Sequence, residues 1–271
     1  MKDFNKKKVF ITGGSAGIGL STAKLLASRG ADVYIFARNK KNLENAVQEI
    51  SEQKKRNSQA VDYMQVDVAD NEKVAGVMKK AVKNFGTPDL LINSAGRAIP
   101  HYFEDISFEQ FDATMKINTY GVWNVCAAIV PEMKKKGGTI VNVSSIGGYL
   151  GLFGYTDYCA SKFAVIGFSE ALRSELKRYN INVSVLCPAD TDTPGFQVEN
   201  LTKPEETIAV SGNARLYQPD EIAGILVRGI EKERAMIITG FDGKIARVLR
   251  GIWPGLLEWV FDRDIRKAQG A

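Results

Sequence analysis

VFITGGSAGIG, residues 9–19, is the stretch that decides the fold. The β-prone run Val9–Thr12 leads into a turn built on Gly13, Gly17 and Gly19, and a helical pattern opens at Gly17. A strand passing through a glycine turn into a helix is the entry of a βαβ unit. Glycine permits the tight turn and lets backbone approach a pyrophosphate. The helix N-terminus behind it offers free N–H groups and positive potential. The spacing is GxxxGxG, not the commoner GxGxxG, and glycine turns also join ordinary strands to helices. Its place directly after the first strand is what favours a dinucleotide.

Outward from this turn the chain alternates short β-rich runs with longer helical patterns. Strands are predicted at Val9–Thr12, Asp32–Ala37, Ala60–Val66, Leu90–Asn93, Thr139–Val143, Asn182–Leu186 and Met236–Thr239. Helices are predicted at Gly17–Ser28, Lys41–Lys55, Asn71–Asn84, Ser107–Lys135, Tyr155–Tyr179 and Pro219–Ile230. Apolar strands alternating with helices pair in parallel, with helices on both sheet faces. The fold class is therefore α/β, a doubly wound, Rossmann-like parallel sheet of about seven strands. No linker or repeat divides the chain, so residues 1–240 are expected to form one NAD(P)-binding domain and 241–271 a C-terminal extension. The longest irregular stretch, about 188–218, follows a strand's C-terminal end, where such sheets bind ligands.

Composition narrows the partners. The 271 residues are 45% hydrophobic and 25% charged, the balance of a globular chain rather than a disordered one. A net charge of +5, spread in short basic clusters, does not call for nucleic acid. Cys126, Cys159 and Cys187 lie far apart and His101 is the sole histidine, so no metal site is expected. No apolar run precedes the first strand and none reaches the ~20 residues of a membrane span. A cytoplasmic location is the expectation.

The end of the second strand selects the cofactor. YIFARN places Arg38 where a ribose-binding acid is expected. An arginine pairs with a 2′-phosphate and accepts nothing from ribose hydroxyls. NADPH/NADP+ is favoured over a solvated arginine at a strand end. Asp67, in VDV, is a candidate acceptor for the adenine amino group, and Asn93, Ala95 and Gly96 close the fourth strand beside the adenosine.

YCASK supplies the chemistry. Tyr158 and Lys162 are one helical turn apart and share a face. The ammonium is expected to lower the phenol pKa and make Tyr158 a proton donor to a developing alkoxide. Ser145, 13 residues earlier in IVNVSS, is placed to polarise the same carbonyl oxygen. A lone YxxxK says little; Ser, Tyr and Lys behind a nucleotide-binding half say much more.

TGGSAGIG, NSAG, the IN of KINTYG, IVNVSS and YCASK occur in order, and the chain resembles the short-chain dehydrogenase/reductase superfamily over about residues 6–240. The resemblance implies Asn118 as a fourth catalytic residue that holds a relay water, and Lys162 as a ligand of the nicotinamide ribose. It also implies cofactor contacts from Thr12, Ser15, Ile18, Val68, Tyr158, Pro188, Thr191 and Thr193. PADTDT stands where the family has PGxVxT, so Ala189 replaces a glycine. A homodimer or homotetramer through the long helices after the fourth and fifth strands is implied as well.

LGLFGYTDYCASKFA and PADTDTPGFQVENLTKPEET are more closely similar to 3-ketodihydrosphingosine reductases. That resemblance implies reduction of a 3-keto sphingoid base. Leu150, Leu152, Phe153 and Tyr155 are candidates for an alkyl pocket, against a reading as core and lid packing. Asp190, Asp192 or Glu199 are candidates to meet a substrate ammonium. The alternatives are another carbonyl, such as a 3-oxoacyl thioester or a steroid-like ketone, or a non-catalytic nucleotide-binding or peripheral membrane protein. Ile245, Val248, Leu249 and Ile252 recur at helical spacing beside Lys244, Arg247 and Arg250. This extension either docks on its own domain or a partner subunit, or meets a membrane interface.

Overall fold

Each central strand is apolar on both faces because helices cover both faces. In the computed structural model, which describes residues 1–211 and 215–270, the strands are β1 (Lys8–Thr12), β2 (Asp32–Ala37), β3 (Val61–Gln65), β4 (Leu90–Asn93), β5 (Gly138–Val143), β6 (Ile181–Cys187) and β7 (Met236–Ile238). All pair in parallel, in the order β3-β2-β1-β4-β5-β6-β7. The chain adds β2 and β3 on one side of β1, then returns through α3 (Asn71–Phe85) to place β4 on the other. The strand order reverses between β1 and β4, so a crevice opens outside their C-terminal ends.

Alternate side chains of each strand feed two cores. Val9 and Ile11 join Leu26 of α1 (Gly17–Ser28), Ile50 of α2 (Lys40–Ser51) and Leu226 of α9 (Pro219–Glu231). Phe10, between them, joins Met78 of α3, Ile129 of α5 (Gly121–Met133) and Val165 of α6 (Thr156–Leu176). Polar caps fix several helix starts: the side chains of Asn39, Asp70 and Ser107 accept the N–H groups of Asn42, Lys73 and Gln110.

Two segments depart from the sequence reading. The single helix expected over 107–135 is three pieces, α4 (Phe108–Met115), a π-helical turn over Lys116–Tyr120, and α5. The wide turn rotates Asn118 inward, where it is fully buried. The stretch 188–218 contains α7 (Pro194–Glu199) and α8 (Glu205–Ser211); its residues 212–214 lie outside the described ones. Thr193 starts α7 by accepting the Phe196 N–H, with Pro194 at the first helical position.

After β7 the chain forms α10 (Phe241–Ile252) and α11 (Pro254–Ala268), which break at Trp253–Pro254. Both dock on the domain: the Tyr149 hydroxyl donates to the Gly243 carbonyl at 3.0 Å, and the Gln269 amide donates to Glu206 of α8 at 3.1 Å. Residue 271 of the extension lies outside the described residues. No described helix is long and apolar enough to cross a membrane.

Candidate active site

The crevice at the strand reversal is a cleft of about 480 Å³ that runs from the glycine turn to α7. Gly13, Ser15, Gly17 and Ile18 form one end, and Ser145, Tyr158, Lys162, Pro188, Thr191 and Thr193 the other. Val68, Ala95 and Gly96 lie between them.

The glycine turn leaves no room for side chains. Gly13 has φ +68°, and a Cβ there would stand 2.7 Å from the Ala95 nitrogen. A Cβ on Gly19 would stand 2.3 Å from the Gly13 carbonyl oxygen. The N-cap of α1 is Ala16, which has no side chain to satisfy the first N–H groups, and the first turn of α1 carries no acid. These free donors face the cleft and suit an anion. Arg38 reaches the same end with its side chain 66% exposed, and among the described residues its only ion pair is a long one, 3.9 Å to Asp67. The donor set therefore fits a phosphate-rich dinucleotide.

Some expected cofactor residues sit behind the cleft instead of in it. Thr12 is buried, and its carbonyl accepts the Ser94 N–H at 3.1 Å. Asn93 is buried and donates to Asn142 at 2.8 Å. Gly19 serves the closeness of the turn. Thr12 and Asn93 shape the wall because strand ends point side chains alternately inward and outward. Asp67, expected at the adenine, divides its carboxylate between the Ala69 N–H at 3.0 Å and Arg38.

At the reactive end, Lys162 donates to the Val143 carbonyl at 3.1 Å, which ties α6 to the end of β5. Burial lowers its ammonium pKa to about 8. The expected depression of the Tyr158 pKa is not what the structure gives. Burial raises the phenol well above its ordinary value, Ser145 acts against that by hydrogen bonding, and Glu199 and Asp190 push it further up. The reason is burial, which disfavours the phenolate; Lys162 Nζ lies 5.6 Å from the centre of the Tyr158 ring, over its face. A high pKa holds the proton on Tyr158 at neutral pH, as a donor requires.

Asn118 does not line the cleft. Its amide accepts the Arg97 N–H at 2.9 Å and donates to the Arg97 carbonyl and the Ser161 hydroxyl, both at 2.9 Å. It thereby holds the loop after β4 against α6. Gly96 sits between them: a Cβ there would come within 3.3 Å of Asn118 Oδ1 and 3.4 Å of Lys162 Nζ.

Sequence reasoning missed Asp157. It is fully buried, accepts the Tyr158 N–H at 2.7 Å and takes the Thr114 hydroxyl at 2.8 Å, so it anchors the tyrosine's backbone to α4. A carboxylate in the first turn of a helix was the available signal. Of the expected substrate residues, Leu152, Phe153, Tyr155 and Asp190 line the cleft. Leu150 does not; it packs beneath α11 with Leu257 and Phe261, because the turn after Ser145 directs it toward the extension. Glu199, Lys203 and Tyr155 form one cluster at the α7 side. The Tyr155 hydroxyl donates to Glu199, and Lys203 pairs with Glu199 at 3.3 Å.

Comparison with known proteins agrees with this geometry. The short chain dehydrogenase family model matches residues 7–204. A 3-ketodihydrosphingosine reductase of Bos taurus is 40% identical over 237 residues, 87% of this chain and 71% of that one. A levodione reductase crystal structure superposes with a TM-score of 0.78 at 27% identity, covering 89% of this chain and 97% of that one. An actinorhodin polyketide ketoreductase variant, solved with NADPH, gives 0.77 at 27% identity, with 88% and 97% covered. The chain belongs to the short-chain dehydrogenase family, oxidoreductases that interconvert a carbonyl and an alcohol with a nicotinamide cofactor.

Proposed function

We propose that the chain reduces the 3-keto group of 3-ketodihydrosphingosine to the alcohol, with NADPH as the reductant. The reaction rests on one observation, that Ser145, Tyr158 and Lys162 share a cleft with the glycine cradle. The substrate rests on the likeness to the bovine reductase. Turnover of that ketone to dihydrosphingosine tests the reading.

The glycine turn and the α1 N-terminus hold the pyrophosphate, Arg38 the 2′-phosphate and Lys162 the ribose hydroxyls beside the nicotinamide. When bound, the cofactor supplies a hydride to the carbonyl carbon. Ser145 donates a hydrogen bond to the carbonyl oxygen and stabilises its developing charge. Tyr158 transfers its phenolic proton to that oxygen, which completes the alcohol. Lys162 keeps positive charge beside the tyrosine as the phenolate forms. Asn118 acts as a positioning residue, fixing Arg97 and Ser161 around Lys162. Leu152 and Phe153 offer the alkyl chain an apolar wall.

Arg38 carries the choice of NADPH. Arg38→Asp is expected to raise the NADPH KM roughly 10- to 100-fold, because a charge-assisted bond is lost and a repulsion gained. The NADPH-to-NADH ratio of kcat/KM should fall at least as far. An unchanged ratio would contradict the assignment.

The outer face of α10 is proposed to rest on an anionic lipid surface. Phe241, Ile245, Val248 and Ile252 follow one another on this face and all stay exposed, as does Trp253 just beyond. Lys244, Arg247 and Arg250 are exposed on the same helix, the composition of an interfacial helix. Val248→Glu with Ile252→Glu is expected to abolish co-sedimentation with phosphatidylglycerol vesicles. Equal sedimentation of variant and parent would remove the membrane contact.

A further inference from the structure

The α7 side of the cleft carries two carboxylates and one ammonium, and they are not equivalent. Glu199 is satisfied within the protein: Lys203 pairs with it and the Tyr155 hydroxyl donates to it. The Lys203 side chain is only 5% exposed and also sits 4.0 Å over the Phe196 ring. Lys203 thus balances the Glu199 charge. Asp190 differs. Its carboxylate lines the cleft, yet among the described residues it makes neither a hydrogen bond nor an ion pair. Its backbone is held firmly, since the carbonyl accepts the Tyr217 N–H at 2.9 Å and Thr191 bridges to the same residue. The fold therefore fixes an uncompensated acid in the wall of the reaction site. Burial disfavours its charged form, and Lys203 restores only part of the balance.

A half-buried carboxylate without a partner is costly unless a ligand supplies the cation. Asp190 lines the same cleft as Ser145 and Tyr158, so a cation that completes the pair sits in the cavity where the carbonyl is protonated. Resting on the function proposed above, the chemistry coincides: the amino group of a 3-keto sphingoid base is on the carbon adjacent to the ketone. We infer that Asp190 is the counter-ion of the substrate's α-ammonium and the residue that selects α-amino ketones over plain ketones. A 3-oxoacyl thioester or a simple cyclic ketone has no group to place there. Glu199 and Lys203 serve as a scaffold that holds α7 at the site.

The test compares 3-ketodihydrosphingosine with the same ketone bearing hydrogen in place of the amino group, in parent and Asp190→Asn enzyme. Asparagine keeps the size and removes the charge. The ratio of kcat/KM, amino ketone over plain ketone, is expected to fall roughly 10- to 100-fold, the value of one charged hydrogen bond. Asp190→Glu is expected to keep most of the ratio. If Asp190→Asn lowers both activities by one factor, the ratio stands still and Asp190 belongs to the cofactor site or the fold. That outcome overturns the inference, as does no change on either ketone. If the parent enzyme fails to turn over the amino ketone while reducing the plain one, the sphingoid reading itself is overturned, and Asp190's role with it.

Discussion

Tyr158→Phe is expected to lower kcat for ketone reduction by roughly 100- to 10,000-fold, the range for loss of a positioned proton donor. The substitution removes one oxygen and keeps the ring. The ring packs against Tyr155 with centroids 5.6 Å apart and lies under Lys162, so its seat survives. The backbone N–H still donates to Asp157 at 2.7 Å. Thermal stability and the NADPH dissociation constant should therefore change little while kcat collapses. That split separates a chemical role from a structural one. Because burial holds the phenol pKa high, the donor is fully protonated across the neutral range. Normal kcat in the variant, measured by NADPH oxidation, would remove Tyr158 from the reaction.

Gly19→Ala is expected to be nearly as damaging by another route. Its Cβ would lie 2.3 Å from the Gly13 carbonyl oxygen, and that atom belongs to backbone. No rotamer relieves the contact, so the turn must open and the α1 N-terminus must shift away from the phosphates. Overpacking of this kind costs about 1–3 kcal/mol in stability. Loss of aligned N–H donors should weaken NADPH binding roughly 100-fold, since several charge-assisted bonds act together. The control is Gly76→Ala within α3, where a Cβ meets nothing within 4 Å. That change should raise stability by up to about 1 kcal/mol through helix propensity alone. Denaturant titration and NADPH fluorescence read both effects. Equal behaviour of the two variants would contradict the close-packed turn.

Much of this was legible because the relevant signals are local. The glycine turn sits where a strand becomes a helix, and YCASK needs only helical spacing to align Tyr158 with Lys162. What escaped depends on distant contacts. The π turn over Lys116–Tyr120 leaves no mark on hydrophobic periodicity, yet it is what carries Asn118 to Arg97 and Ser161. Thr12 and Asn93 were expected at the cofactor, but a strand's last residue faces the core or the cleft according to register, which residue type does not reveal. Leu150 was expected at the substrate and instead lies under α11, a partner more than 100 residues further along the chain. Spacing alone predicts a lowered phenol pKa and the structure raises it, because spacing shows that a lysine is near and says nothing of burial.

The most direct measurement is a single incubation of 3-ketodihydrosphingosine with NADPH deuterated at the transferable position, followed by mass analysis of the lipid. The account requires dihydrosphingosine carrying one deuterium at C3, formed in step with NADP+, and its loss in Tyr158→Phe. Recovery of unchanged ketone, or of an alcohol without the label, would contradict it.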